Sequence, residues 1–181
     1  MPRSNLDLIL KSLQEDNNNT TILDEQWSQG RSAFGGISAA FAMTAMKKLV
    51  PVGTPLRSLS VSFIAPVPPG LVSVKTTIIR KGKNVTQIES SVVCNDSICL
   101  RAMAAFGNSR ATYNVKPDEN FKPKPRGSGV KFEDHAKQTP RFLQFFEGEW
   151  VNDGLPFAGQ LSRSLEMWVR HSIDLSQFAE E

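Results

Sequence analysis

The sequence predicts an α+β domain in which one antiparallel sheet curls around a single buried helix. Two observations carry this. From Ser32 to Val50 the chain reads SAFGGISAAFAMTAMKKLV, and between Ala33 and Met46 every residue except Ser38 and Thr44 is apolar or small. A helix that is apolar on all sides is a buried one, and this one is too short for a bilayer, which takes about 20 apolar residues. The second observation lies just downstream. Leu59–Ile64, Leu71–Arg80, Val85–Cys94 and Ile98–Phe106 are four consecutive runs rich in Val, Ile, Thr and Phe, broken by Pro-Pro-Gly, Lys-Gly-Lys and Asn-Asp-Ser. Such runs are strands, and strands joined by short turns form an antiparallel sheet with one face to cover.

Ser4 is a candidate N-cap. Leu6, Ile9, Leu10 and Leu13 come after it at helical spacing, predicting a short amphipathic helix packed on the outside of the domain. Asp16–Thr21 is a polar turn, and Thr21–Gln29 reads as the first strand, with Ile22 and Trp27 its large apolar residues. Gly30 and Arg31 lead into the central helix. Lys47 and Lys48 suit the negative end of its dipole, and Pro51 and Gly53 end it. Ser58, Ser60 and Ser62 alternate with Leu59, Val61 and Phe63, the pattern of a strand with one buried face. These serines have no local base and read as polar strand positions, not nucleophiles. Glu89 reads as an outward-facing strand residue rather than a catalytic base. Between Ser109 and Pro140 the pattern gives way to a Pro-, Lys- and Gly-rich linker or surface crossover. Arg141–Glu149 and Ser162–His171 resume strand-like patterning.

The segments GRSAFGGISAAFAM, PLRSLSVSFIAPVPPG, IIRKGKN and AMAAFG resemble, in order and spacing, the N-terminal half of the double-hotdog acyl-CoA thioesterases, over about Trp27 to Asn108. FFEGEW and LEMWVRHS resemble the opening strands of the second hotdog. The resemblance implies a hotdog fold with residues 1–113 as the first hotdog, 114–140 as a linker and 141–181 as the opening strands of an incomplete second hotdog. It implies hydrolysis of acyl-CoA to free fatty acid and CoA when the second hotdog is present. The implied partners are acyl-CoA or coenzyme A, and a second hotdog or another copy of the chain. No cofactor is implied.

Composition sets bounds. A chain of 181 residues with 40% hydrophobic and 22% charged residues describes an ordinary globular protein of one domain or slightly more. A net charge of +3, with no basic helix or RNA-binding aromatic pattern, does not suggest nucleic acid. The N-terminus MPRSNLDLILKSLQED lacks the uninterrupted apolar core of a signal peptide, and no stretch is long enough to span a membrane. These features point to the cytoplasm. Cys94 and Cys99 flank the Asn95–Ile98 turn, placed to face each other across a hairpin, and are read as free thiols. Together with the distant His135 and His171 they are too few for a metal site.

Gly35 and Gly36 begin the central helix, and two readings stand. One is close packing of helix on sheet. The other is an oxyanion site, because amides in a first helical turn have no intrahelical acceptor and sit at the positive end of the dipole. The resemblance favours the second, and places Phe34 and Phe41 along an acyl channel. Arg80, Lys81 and Lys83 surround Gly82 in a tight turn, either as a solvated tip or as contacts to the phosphates of CoA. The central helix contains no Asp, Glu or His, while water needs a general base to attack a thioester. In the double-hotdog relatives that carboxylate lies on the second hotdog's helix, and this chain reaches Glu181 about where that helix would begin. The general base is therefore unassigned, and the alternative is a non-catalytic acyl-CoA-binding or scaffold hotdog.

Overall fold

The computed structural model describes residues 4–109, 122, 124–135, 137, 139–151, 159 and 165–178. Its contacts divide the chain into two compact units, Asn5–Arg110 with Leu175–Glu181, and Ala111–Asp174 with Met1–Ser4.

The first unit opens with α1 (Leu6–Glu15), whose Leu6, Ile9, Leu10 and Leu13 are buried against the central helix and the first strand. The N-cap residue is Asn5, one position later than the sequence suggests. Its side chain is turned to another use: Asn5 Oδ1 accepts the indole N–H of buried Trp27 at 2.9 Å. A tight polar turn leads on, in which Asp16 accepts from both the amide and the hydroxyl of Thr20.

The first strand, β1 (Thr20–Leu23), is shorter than the predicted Thr21–Gln29. Asp24 is the reason. Its carboxylate accepts from Gln26 N–H at 2.8 Å and starts a 3₁₀ turn over Glu25–Trp27, a local bond that competes with the sheet ladder. Two two-residue strands, β2 (Ser28–Gln29) and β3 (Ser32–Ala33), then pair around Gly30, whose φ of +65° suits glycine.

The central helix, α2 (Gly35–Lys47), buries Ile37, Ser38, Phe41, Ala42, Met43, Ala45 and Met46. The main sheet continues as β4 (Leu56–Phe63), β5 (Gly70–Lys81), β6 (Val85–Cys94) and β7 (Ser97–Gly107). The order across the sheet is β1-β5-β6-β7-β4, and every neighbouring pair is antiparallel. Val72, Val74, Ile88, Val92, Leu100 and Phe106 form its buried face. Ala102 and Ala104, also buried, leave room for α2, which packs on β5, β6 and β7. The predicted sheet wrapped on a buried helix is present. One flank of α2, at Ala39, Ala40 and Thr44, is only half covered.

The alternation in β4 has the expected phase but not the expected burial. Leu59, Val61 and Phe63 are in register with the buried Ala104, Ala102 and Leu100. Yet Leu59 is 38% and Phe63 64% exposed. β4 is the edge strand, outside the strip that α2 covers.

The second unit contains a three-stranded sheet in the order β10-β9-β8, made of β8 (Val130–Lys131), β9 (Phe146–Trp150) and β10 (Met167–His171). Arg141–Phe145, expected to begin a strand, is a 3₁₀ helix that buries Phe142 and Phe145. Residues 162–164 of the predicted second run lie outside the described residues. Phe132 packs on Trp150 with ring centroids 4.4 Å apart. Among the described residues, no helix is long and apolar enough to cross a membrane.

Candidate active site

The start of α2 is held from three sides. Phe34 N–H donates to Trp27 O, and Ala33 N–H to Val67 O, both at 2.8 Å. Val67 N–H donates in turn to Ser32 Oγ at 3.1 Å. These bonds strap the Ala65–Pro69 loop to the entry of the helix and fix where its first amides point. Phe34 O takes the amides of Ile37 and Ser38. The amides of Gly35 and Gly36 donate to no acceptor among the described residues, as first-turn position dictates.

Two phenyl rings lie against these glycines. A Cβ on Gly36 would meet the Phe34 ring at 2.5 Å, and a Cβ on Gly35 would meet the Phe63 ring at 3.2 Å. Both glycines therefore seat aromatic rings, as close packing of the helix requires. Phe34 is half-buried. Phe41 has no exposed surface and belongs to the core with Met46. Phe63 is a neighbour of the helix start that sequence reasoning misses. It lies 28 positions from Gly35, and only the strand order brings the two together.

Arg80, Lys81 and Lys83 occupy the exposed β5–β6 tip, closed by Gly82 N–H donating to Val85 O at 2.8 Å. No ion pair engages them among the described residues. The structure does not bring this tip to the helix start. Phe63 is level with Leu100 of β7, whereas Arg80 is level with Gln87 and hence with Ala105. The two features sit five residues apart along the strand, roughly 17 Å.

Glu89 and Asp24, two carboxylates of the first unit, are engaged in structural bonds. Glu89 pairs with Arg101 at 2.9 Å, and Asp24 caps the 3₁₀ turn. Cys94 and Cys99 are both free and buried. Burial first, and then the neighbouring Cys99, push the Cys94 thiol up to about 12. Among the described residues, no group of three or more metal-ligating side chains comes together. A cavity of about 350 Å³ opens elsewhere, in the second unit, lined by Arg126, Lys131, Glu147, Glu149, Trp168 and Arg170 among others. Its charges largely satisfy one another: Arg170 pairs with Glu147, Lys131 with Glu133, and Gly127 N–H donates to Glu149. None of the residues singled out in the first unit lines it.

Residues 23–107 match the acyl-CoA thioesterase N-terminal domain family. Over this stretch the chain is similar to that family. The matched stretch runs from the end of β1 to the end of β7 and contains α2, both glycines and the cationic tip. Solved structures place it in the hotdog fold. A protein of unknown function with a hotdog fold from Alicyclobacillus acidocaldarius is similar with TM-score 0.71 at 20% identity, over 84% of this chain and 56% of its own. A putative thioesterase II from Thermobifida fusca gives 0.64 at 16%, over 84% and 56%. An acyl-CoA thioesterase II from Mycobacterium marinum gives 0.64 at 14%, over 90% and 60%. The chain thus spans little more than half the length of these proteins. No curated protein matches it.

Proposed function

We propose that this chain is an acyl-CoA thioesterase-like protein whose first hotdog binds the substrate and polarises its thioester. The observation that carries the reading is the pair of amides at Gly35 and Gly36 that have no acceptor among the described residues, at the positive end of a 13-residue helix beside two phenyl rings. A thioester carbonyl oxygen seated there would gain stabilisation as it becomes an oxyanion. Water adds to the carbonyl carbon, the C–S bond breaks, and the CoA thiolate leaves and takes up a proton. Phe34 and Phe63 would wall the entrance to the acyl site, with Phe41 forming the packed floor behind them. The distance to Arg80, Lys81 and Lys83 suits a ligand with a long arm between its thioester and its phosphates.

In this reading residues 1–113 are the first hotdog, 114–140 a linker and 141–181 the opening strands of a second, which supplies the general base. The exposed edge and apolar inner side of β4 are where another copy of the chain would pair. The protein would work in the cytoplasm, on fatty-acyl thioesters. The alternative is an acyl-CoA-binding hotdog without turnover, favoured by one observation: Glu89 and Asp24 are both committed to structural bonds.

Release of free thiol from acyl-CoAs of several chain lengths tests the proposal. Residues 1–181 should hydrolyse them feebly, because positioned acid–base chemistry is worth about 10²–10⁴ in rate. A longer chain carrying the second helix and its carboxylate should be active, and Gly36→Pro in it should cost about 10²–10³ in kcat. CoA affinity should fall with salt and fall further in an Arg80/Lys81/Lys83 triple alanine variant. Full turnover by residues 1–181 would overturn the assignment of the base to the second hotdog. Unchanged CoA affinity in the triple variant would return the tip to a solvated turn.

A further inference from the structure

We propose that Cys94 and Cys99 are the site of a reversible disulfide that moves the end of β4 and, with it, Phe63. Both thiols are buried, at 4% and 3% exposure, on the two arms of one hairpin. The hairpin turns on Asn95 and Asp96, which have φ values of 48° and 58°. Cys94 is in register with Ser97, so Cys99 is its diagonal neighbour, and the Cys99 thiol donates to Ser97 O at 3.6 Å. The register of β6 on β7 shifts between Val92 and Val93, giving the backbone slack at this point. The carbonyl of Cys99 leaves its own hairpin and accepts the amides of Ile64 at 2.9 Å and Ala65 at 3.0 Å. Those are the two residues directly after Phe63, whose ring rests on Gly35. An unbroken path of contacts therefore joins the thiol pair to the helix start.

The geometry makes the path responsive. In a regular ladder diagonal neighbours have Cα atoms about 7–8 Å apart, Cys99 is the extra residue at the register shift, and a disulfide needs about 4.4–6.8 Å. Closing the bridge must draw Cys99 toward Cys94 by on the order of 1 Å, taking its carbonyl away from Ile64 and Ala65. A bridge formed at such cost is easily reduced, which is the property of a regulatory disulfide. The oxidant is a small-molecule disulfide. The Cys99 thiolate attacks one of its sulfurs, releasing one thiol and leaving a mixed disulfide. Cys94 loses its proton and displaces the second thiol as the Cys94–Cys99 bond forms. Two electrons pass from the protein thiols to the reagent, which leaves as two thiols. One of the influences that hold Cys94 protonated, the charge of Cys99, vanishes once Cys99 is in the mixed disulfide, and the second step has the advantage of proximity. Control of the thioester site by this movement rests on the functional reading above; the movement itself does not.

The test is incubation of the 181-residue protein with glutathione disulfide, then intact mass and amide hydrogen exchange. The wild type should lose two hydrogens in mass. The peptide containing Ile64 and Ala65 should exchange about five- to tenfold faster, the loss expected for a released backbone hydrogen bond, and recover on reduction. Cys94→Ala and Cys99→Ser should show neither change, and either one that folds serves as the control. Failure to form the bridge natively, or a bridge that leaves exchange at Ile64 and Ala65 unchanged, overturns the proposal. Because exchange is read without substrate, these outcomes are independent of whether the protein hydrolyses acyl-CoA.

Discussion

Asp16 holds the turn between α1 and β1 through one carboxylate oxygen, which accepts both the amide and the hydroxyl of Thr20. Those bonds, the side-chain one foremost, favour the ionised form and hold its pKa below the usual 3.8. A group whose folded value is depressed stabilises the fold above its unfolded value, and loses that contribution as pH falls through the folded one. The urea midpoint should therefore drop on acidification below about pH 4, and Asp16→Asn should flatten that part of the profile. A variant with the same acid limb as wild type would remove Asp16 from the account. Lys48 works at the same junction, donating to Asp16 O at 2.8 Å and Asn19 Oδ1 at 2.7 Å. It ties the end of α2 to the end of α1, a role for a helix-terminal cation more specific than the dipole alone.

The central helix is where the largest energies lie. Phe41 and Ala42 have no exposed surface. Phe41→Ala should cost about 3–5 kcal/mol, read as a lowered urea midpoint. Ala42→Glu should abolish cooperative unfolding, because a buried carboxylate without a partner costs several kcal/mol; a soluble, cooperatively unfolding Ala42→Glu protein would contradict the packing. This element is legible in the sequence because its signal is local: an apolar run between a glycine pair and a Pro–Gly stop. So are the hairpin tips at Gly82 and Asn95, where the turn chemistry is written in adjacent residues. Trp27 reads as a strand residue on propensity, yet Asp24, a capping residue three positions before it, outweighs that preference and coils the chain. The exposure of Leu59 and Phe63 is not legible at all. Alternation reports which face a residue takes, but whether that face is covered depends on where the strand falls in the sheet. The meeting of Phe63 with Gly35 is hidden for the same reason, and with it half of the candidate site.

At the scale of the whole molecule, assembly turns on β4. An eight-residue edge strand presents unpaired backbone groups and, on its inner side, Leu59 and Phe63. Edges of this kind recruit another strand. We expect the 181-residue chain to sediment as a dimer or larger at micromolar concentration, and Phe63→Lys with Leu59→Lys to shift it to monomer; a wild type that remains monomeric would argue against pairing through β4. The strand order β1-β5-β6-β7-β4 has a further consequence, for the order in which the chain assembles. β5, β6 and β7 are joined by tight turns and form the middle of the sheet. β1 and β4 flank α2 in sequence yet end on opposite edges, so each must close a long loop to reach its neighbour, an entropic cost that slows non-local pairing. The meander should thus be structured in the folding transition state, while β4 zips onto β7 afterwards. Ile88→Val should mainly slow folding, and Leu59→Ala should mainly speed unfolding. The β4 edge is thus the last to form, so a nascent chain presents it only once the helix is already enclosed.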